Sequence, residues 1–278
     1  MFQPDGDAVD ADLDLDPAEQ TRLRTAGLAA YAAMYGAAAP SLGTGFAPIE
    51  GALAVWNPTD ADPSFNYLTG FEAAPDPDRA WALGLAAASA GGARVFGVAI
   101  ADDRTAWATA MRRAELGLGY DADELVWAAR LRPPTRPPVA ARGVEVRTAD
   151  VAPDVFARAL NRGWELPEEH GRGRLYASTL GLPGWGHYLA VIGDEPAGGA
   201  VLCRHEGVAV CMVAATDPRF RGRGIQTTLI ERRLVDAAAT GCDLAMVETV
   251  AGNASARNYQ RAGFRLVTRR RIYAVSLE

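Results

Sequence analysis

One stretch constrains the fold of this chain more than any other: VAATDPRFRGRGIQTTLIERRL, residues 213–234. An apolar strand, Val208 to Ala215, runs into a turn at Asp217-Pro218 and then a loop rich in glycine and arginine. The loop opens directly into a helix expected from about Ile225 to Ala239, with Ile230, Leu234, Ala237 and Ala238 on one stripe. The strand is apolar on both faces, which places it in the middle of a sheet. Gly222 and Gly224 let the backbone pass close to a ligand and turn its amides inward. A helix start adds unpaired N–H groups and a partial positive charge. Strand, turn, loop and helix in this order make an anion cradle suited to a pyrophosphate, with Arg219, Arg221 and Arg223 around it.

The surrounding pattern predicts an α+β layered domain. After the strand VEVRT come helices over 152–163 and roughly 172–180. Three strands follow, joined by tight turns at Gly193-Asp194 and Glu206-Gly207. CDLAMVET reads as a buried strand, residues 254–262 as a short helix and FRLVTRRRIYAVSLE as a long terminal strand. Ahead of this domain, RPPTRPPVAARG contains four prolines and reads as a semi-rigid connector. The expected organisation is therefore an acidic tail over residues 1–16, an N-terminal α/β domain over 17–131, a linker over 132–142 and a C-terminal domain over 143–278. Within the N-terminal domain, a helix from Pro17 towards Tyr35 precedes strand-like pieces at GALAVWNP and PSFNYLTGFE. A helix over 77–90, the strand ARVFGVAIA, the helix RTAWATAMRRAEL and the strand DELVWAARL complete it.

Composition excludes several chemistries. All 28 basic residues are arginine, which removes lysine Schiff bases, Walker-type phosphate loops and Ser-x-x-Lys centres. Three cysteines without C-x-x-C spacing argue against a structural zinc or a disulfide framework, so no metal is expected. The net charge of -6 argues against nucleic acid as the main partner. No apolar stretch reaches the length of a membrane span, and a cytoplasmic setting follows as the expectation. The charge is uneven: residues 1–141 carry 19 acids against 10 arginines, residues 142–278 carry 15 against 18. A basic second half suits a small polyanion.

Two motifs resemble the GNAT superfamily of acyl-CoA-dependent N-acyltransferases. Arg221-Gly222-Arg223-Gly224-Ile225 follows that family's Q/R-x-x-G-x-G/A signature, and Gln226 stands where Gly or Ala is usual. NASARNYQRAGF is similar to the family's N…S…Y…GF segment, with Tyr259 four residues before Gly263. Asn253 lies six residues before Tyr259 rather than the usual seven. The resemblance covers residues 143–278 and implies a central mixed sheet flanked by helices. It also implies that the strands ending at Thr216 and at Glu248-Thr249 splay apart. Backbone groups of Ala214, Ala215 and Thr216 would then pair with the pantetheine arm of acetyl-CoA. The loop and helix start, Arg221 to Thr227 (Gly222, Arg223, Gly224, Ile225 and Gln226 between them), would hold the pyrophosphate, with Asn253 and Ser255 as further cofactor contacts.

The same resemblance makes Tyr259 the acid that protonates the leaving thiolate, and a backbone N–H near Ala214 the donor to the thioester oxygen. Glu248, at the end of the splayed strand, is the first choice for the base. Glu165, Glu168, Glu169 and His170 form a polar cluster over the acceptor, of which Glu165 and Glu169, together with Trp185, are taken as substrate-binding. His187 reads as structural. The end of the N-terminal half, with Gly119-Tyr120 in the place of Gly263-Phe264, resembles a degenerate second copy without a phosphate loop. Taken together, a bacterial N-acetyltransferase acting on a small-molecule amine, as monomer or homodimer, is expected. A non-catalytic acyl-CoA-binding module and a protein N-acetyltransferase are the alternatives.

Overall fold

The computed structural model describes residues 13–101, 117, 119–133, 138, 140–148 and 151–277. The helix expected over RTAWATAMRRAEL, part of the proline connector and most of the acidic tail lie outside the described residues. In chain order the elements are α1 (Pro17–Leu42), β1 (Gly45–Ile49), β2 (Ala52–Trp56), β3 (Tyr67–Thr69), α2 (Pro77–Ala90), β4 (Val95–Ala101) and β5 (Gly119–Arg130). They continue with β6 (Glu145–Arg147), α3 (Pro153–Gly163), α4 (Gly171–Ala177), β7 (Trp185–Ile192), β8 (Glu195–His205) and β9 (Val208–Thr216). Last come α5 (Ile225–Ala239), β10 (Leu244–Val250), α6 (Ala254–Arg261) and β11 (Arg265–Ser276).

Compactness divides the chain into two units that do not follow the connector at 132–142. One holds residues up to Ala30, Trp127–Glu248 and Gly252–Arg265; the other holds Tyr31–Val126, Thr249–Ala251 and Leu266–Glu278. Backbone pairing explains the exchange. The terminal strand β11 finds its antiparallel partner in β4, over seven residue pairs from Arg270↔Ala101 to Ser276↔Val95. The start of α1 is tied to the C-terminal region by Arg22, which donates to both oxygens of Asp243 (2.6 and 3.0 Å), and by a Glu19–Arg130 ion pair.

In the unit built on residues 31–126, the hairpin β1–β2 pairs antiparallel, β2 with β3 antiparallel, and β3 with β4 parallel. Phe71, Trp81, Phe96 and Tyr273 are buried in its core. The helix α2 packs there because its apolar face carries Ala80, Trp81, Gly84 and Ala88. Asp76 caps its start by accepting from the Arg79 N–H (3.1 Å), and Pro77 occupies the first turn.

In the unit that carries the glycine loop, β6–β7, β7–β8 and β8–β9 pair antiparallel while β9 and β10 pair parallel. The central place of β9 between β8 and β10 is the one its two apolar faces predict. Adjacent glycines show how the helices are layered. A Cβ on Gly198 would meet Ala215 O and Ile225 at the start of α5, whereas one on Gly199 would meet Phe156 and Leu160 of α3. Successive strand residues face opposite sides, so α3 and α5 cover opposite faces of the sheet.

Candidate active site

The site forms where the β9–β10 register ends. Their parallel register covers only Leu244↔Val208, Ala245↔Ala209 and Met246↔Val210, although β9 runs on to Thr216 and β10 to Val250. Beyond Val210 and Met246 the two strands are no longer in register with each other. Exposure changes at the same place: Cys211 is buried, and Met212, Val213 and Ala214 are half-buried. On its other side β9 carries a bulge, because Val201 pairs with Val213 while Leu202 pairs with Cys211, leaving Met212 as the extra residue.

From Thr216 the chain enters the loop through Asp217, whose carboxylate accepts from the Arg219 N–H (3.0 Å) and pairs with the Arg219 guanidinium (2.7 Å). Those bonds hold its carboxyl below the usual carboxylate range. Arg219 also reaches Glu195 (2.6 Å), and Arg219 and Arg223 both lie over the Phe220 ring, at 5.1 and 5.5 Å from its centroid. The loop is therefore braced from outside. Gly222 and Gly224 both adopt left-handed backbone, at φ +78 and +77°. Gly224 caps α5 with no side-chain bond, and the first helical bond runs from Thr228 N–H to Gly224 O (3.0 Å). The N–H groups of Ile225, Gln226 and Thr227 thus precede the helical ladder, and the space at Gly222 is open. This donor set fits a diphosphate.

The other expected cofactor residues gain structural partners. Gln226, where the family signature has a small residue, accepts from the Asn258 amide and so ties α5 to α6. Asn253 caps α6 by accepting from the Ala256 N–H (2.8 Å), and Ser255 is half-buried in the first turn. Arg221 bonds Glu165 (2.8 Å) and Gly163 O (3.2 Å), which brings one acceptor-cluster residue to the phosphate loop. Glu165 itself sits at φ +61°. Buried Asn161 holds that segment by donating to Glu168 O and His170 O and accepting from the Gly173 N–H (2.8, 2.9 and 2.9 Å).

Glu169 is exposed, and its carbonyl accepts from Arg174. Glu168 pairs with Arg162 (2.5 Å), and the His170 ring accepts from the Arg172 N–H (3.2 Å). Trp185 is half-buried and pairs with Cys203, which places it at the register of Val210 two strands away from β9. His187 is buried against Thr179 Oγ1 (2.9 Å) and Phe156, the structural place expected for it; burial pushes its pKa down. Glu248 is half-buried on β10, two residues past its last register pair with β9.

Tyr259 is fully enclosed. It is 1% exposed, stacks edge-on with Phe264, and its hydroxyl accepts from Arg233 Nη2 (2.8 Å). Burial raises the phenol's pKa, and the charge of Arg233 opposes that rise. Arg233 is itself fully buried and was missed in the sequence, although a signal was there. It lies three residues after Ile230 and four before Ala237, on the apolar face of α5 where a cation has no business unless something engages it.

Residues 155–264 match the model of a family described as the Acetyltransferase (GNAT) family. A search of the curated proteins gave no match. Among solved structures, the chain is similar to a GCN5-related N-acetyltransferase from Kribbella flavida, at 16% identity and TM-score 0.60 over 92% of this chain and 95% of that one. It is also similar to a tandem GNAT protein from the clavulanic acid biosynthesis pathway, at 13% identity and TM-score 0.58 over 93% and 96%. A GCN5-related N-acetyltransferase from Sphaerobacter thermophilus gives 17% and 0.55 over 82% and 81%. At these identities the likeness is one of fold, and it extends over both halves of the chain. With the β9–β10 register ending at Val210 and the glycine loop in place, residues 155–264 are similar to the GNAT acetyltransferase family whose model they match.

Proposed function

We propose that the protein transfers an acetyl group from acetyl-CoA to a primary amine on a small molecule, by direct attack with both substrates bound. The observation that carries this reading is the end of the β9–β10 register beside an uncapped helix start. Backbone groups of Ala214 to Thr216 hold the pantetheine arm as an added strand would. The amides of Gly222 to Thr227 and the charge of Arg221 and Arg223 hold the diphosphate. An N–H of β9 next to the Met212 bulge polarises the thioester oxygen. Glu248 takes a proton from the incoming ammonium, and Tyr259 gives one to the departing thiolate.

Glu169 and Trp185 belong to the acceptor side in this reading, and Glu165 connects that side to the loop. The N-terminal half is a second, degenerate copy of the fold without a cofactor site. The enzyme works in the cytoplasm on a soluble amine, without nucleic acid, as a monomer or homodimer. One observation favours a different reading, a module that binds acyl-CoA without turnover: the Tyr259 hydroxyl is enclosed and already engaged by Arg233.

Release of free thiol from acetyl-CoA over a panel of amines separates the two. Turnover with small amines supports the transferase. Binding of CoA without thiol release supports the module, and turnover confined to peptide N-termini supports a protein N-acetyltransferase.

A further inference from the structure

The bulge between Val201 and Leu202 interrupts the β8–β9 ladder next to the end of the β9–β10 register. Two carbonyls at that break, Val201 O and Val213 O, both accept from one guanidinium nitrogen, Arg233 Nη1, at 3.2 and 3.0 Å. The Nε of the same residue donates to Leu229 O (3.1 Å), and Nη2 donates to the Tyr259 hydroxyl (2.8 Å). The side chain is 0% exposed, and no carboxylate stands among these partners. A charge buried at such cost is spent on one bulge and one phenol.

The geometry constrains what the phenol can do. An arginine side chain only donates, so the Tyr259 oxygen must accept from it and its own proton must point elsewhere. Arg233 from α5 stands at that oxygen, and Cys211 of β9 is a further group acting on the phenol. Tyr188 from β7 faces Arg233 as well. Cys211 is the first residue of β9 past the last β10 pair.

We propose that Arg233 is a positioning residue for acetyl transfer: it fixes the β9 bulge that aims a backbone N–H at the thioester oxygen, and it holds the Tyr259 hydroxyl with its proton turned to the departing sulfur. This rests on the reading of Tyr259 as the acid. In the step concerned the Tyr259 O–H bond breaks and an S–H bond forms on the thiolate, leaving a phenolate beside the guanidinium. The proton shed by the newly acylated nitrogen restores the phenol, so no other reactant is consumed.

The test compares Arg233→Lys, Tyr259→Phe and the double variant in acetyl-CoA turnover and in CoA calorimetry. Arg233→Lys should lower kcat by about tenfold or more while CoA affinity stays within about threefold. In the Tyr259→Phe background the same substitution should cost clearly less, because only its effect through the bulge is then left. An equal loss in both backgrounds, or no loss at all, overturns the proposal. An unchanged kcat in Tyr259→Phe instead defeats the acid reading beneath it, and absence of CoA uptake by the unaltered protein defeats the site.

Should Arg233→Lys not fold, a crystal structure of the unaltered protein with CoA decides. The Tyr259 oxygen within hydrogen-bond distance of both Arg233 Nη2 and the sulfur supports the proposal. A Tyr259 turned away from Arg233, or a guanidinium that has left Val213 O, refutes it.

Discussion

At the scale of single residues, the buried polar groups divide by what engages them. His187 and Tyr259 are both buried, yet one is held by Thr179 and the other by a charge. For His187 the consequence is a pH dependence of stability. Its folded pKa lies below the ordinary value near 6.5, so below that pH the unfolded chain binds a proton that the folded chain refuses. Its contribution is complete above pH about 6.5 and is lost as pH falls towards the folded pKa. Thermal melts from pH 8 to 5 should show a declining Tm that flattens in His187→Gln, and identical slopes would contradict this. For Tyr259, replacement by Phe should lower kcat by roughly a hundredfold or more while CoA binding survives. The sequence showed Tyr259 through its spacing to Gly263, but not its depth. Arg233 could be found only by noticing a cation on the apolar stripe of α5.

Among the elements, the glycine loop and its helix were legible almost residue by residue. Helix α5 begins at Ile225 and ends at Ala239 as its apolar stripe and the loop before it require. The same holds for α2 over 77–90, because Asp76 and Pro77 mark its start. Short strands were harder. The segment Gly45–Ile49 carries a proline and alternates weakly, yet pairs with β2 because the Glu50-Gly51 turn closes a hairpin. Part of PSFNYLTGFE turned out to be a helical turn over Pro63–Phe65, capped by Asp62, before β3 begins. The loop itself makes a prediction at this scale. Gly222→Ala and Gly224→Ala each force a left-handed residue, at about 1–2 kcal/mol. Only at Gly224 would the new Cβ also crowd another atom, Ala141 Cβ at 2.9 Å. Gly224→Ala should therefore lower Tm more than Gly222→Ala, and both should weaken CoA binding, as calorimetry and melts on the pair will show.

For the whole molecule, backbone pairing crosses the order of elements along the chain. The proline connector suggests a boundary, but compact units follow backbone pairing rather than sequence punctuation. A long terminal strand was legible in FRLVTRRRIYAVSLE; its partner β4, some 170 residues upstream, was not, because no local pattern encodes a long-range register. Ending the chain at Arg265 removes Tyr273 and the antiparallel partner of β4, and should give a protein with reduced near-ultraviolet dichroism and a lower Tm. A truncated chain that melts like the full one would rule that role out.

The most direct measurement is calorimetry of the intact protein with CoA and, separately, with pantetheine, which lacks the diphosphate and nucleotide. Saturable uptake of CoA at one site per chain, with pantetheine bound far more weakly, is the expected result of a diphosphate held by the amides that open α5. No heat with CoA, or equal affinity for the two compounds, would contradict it.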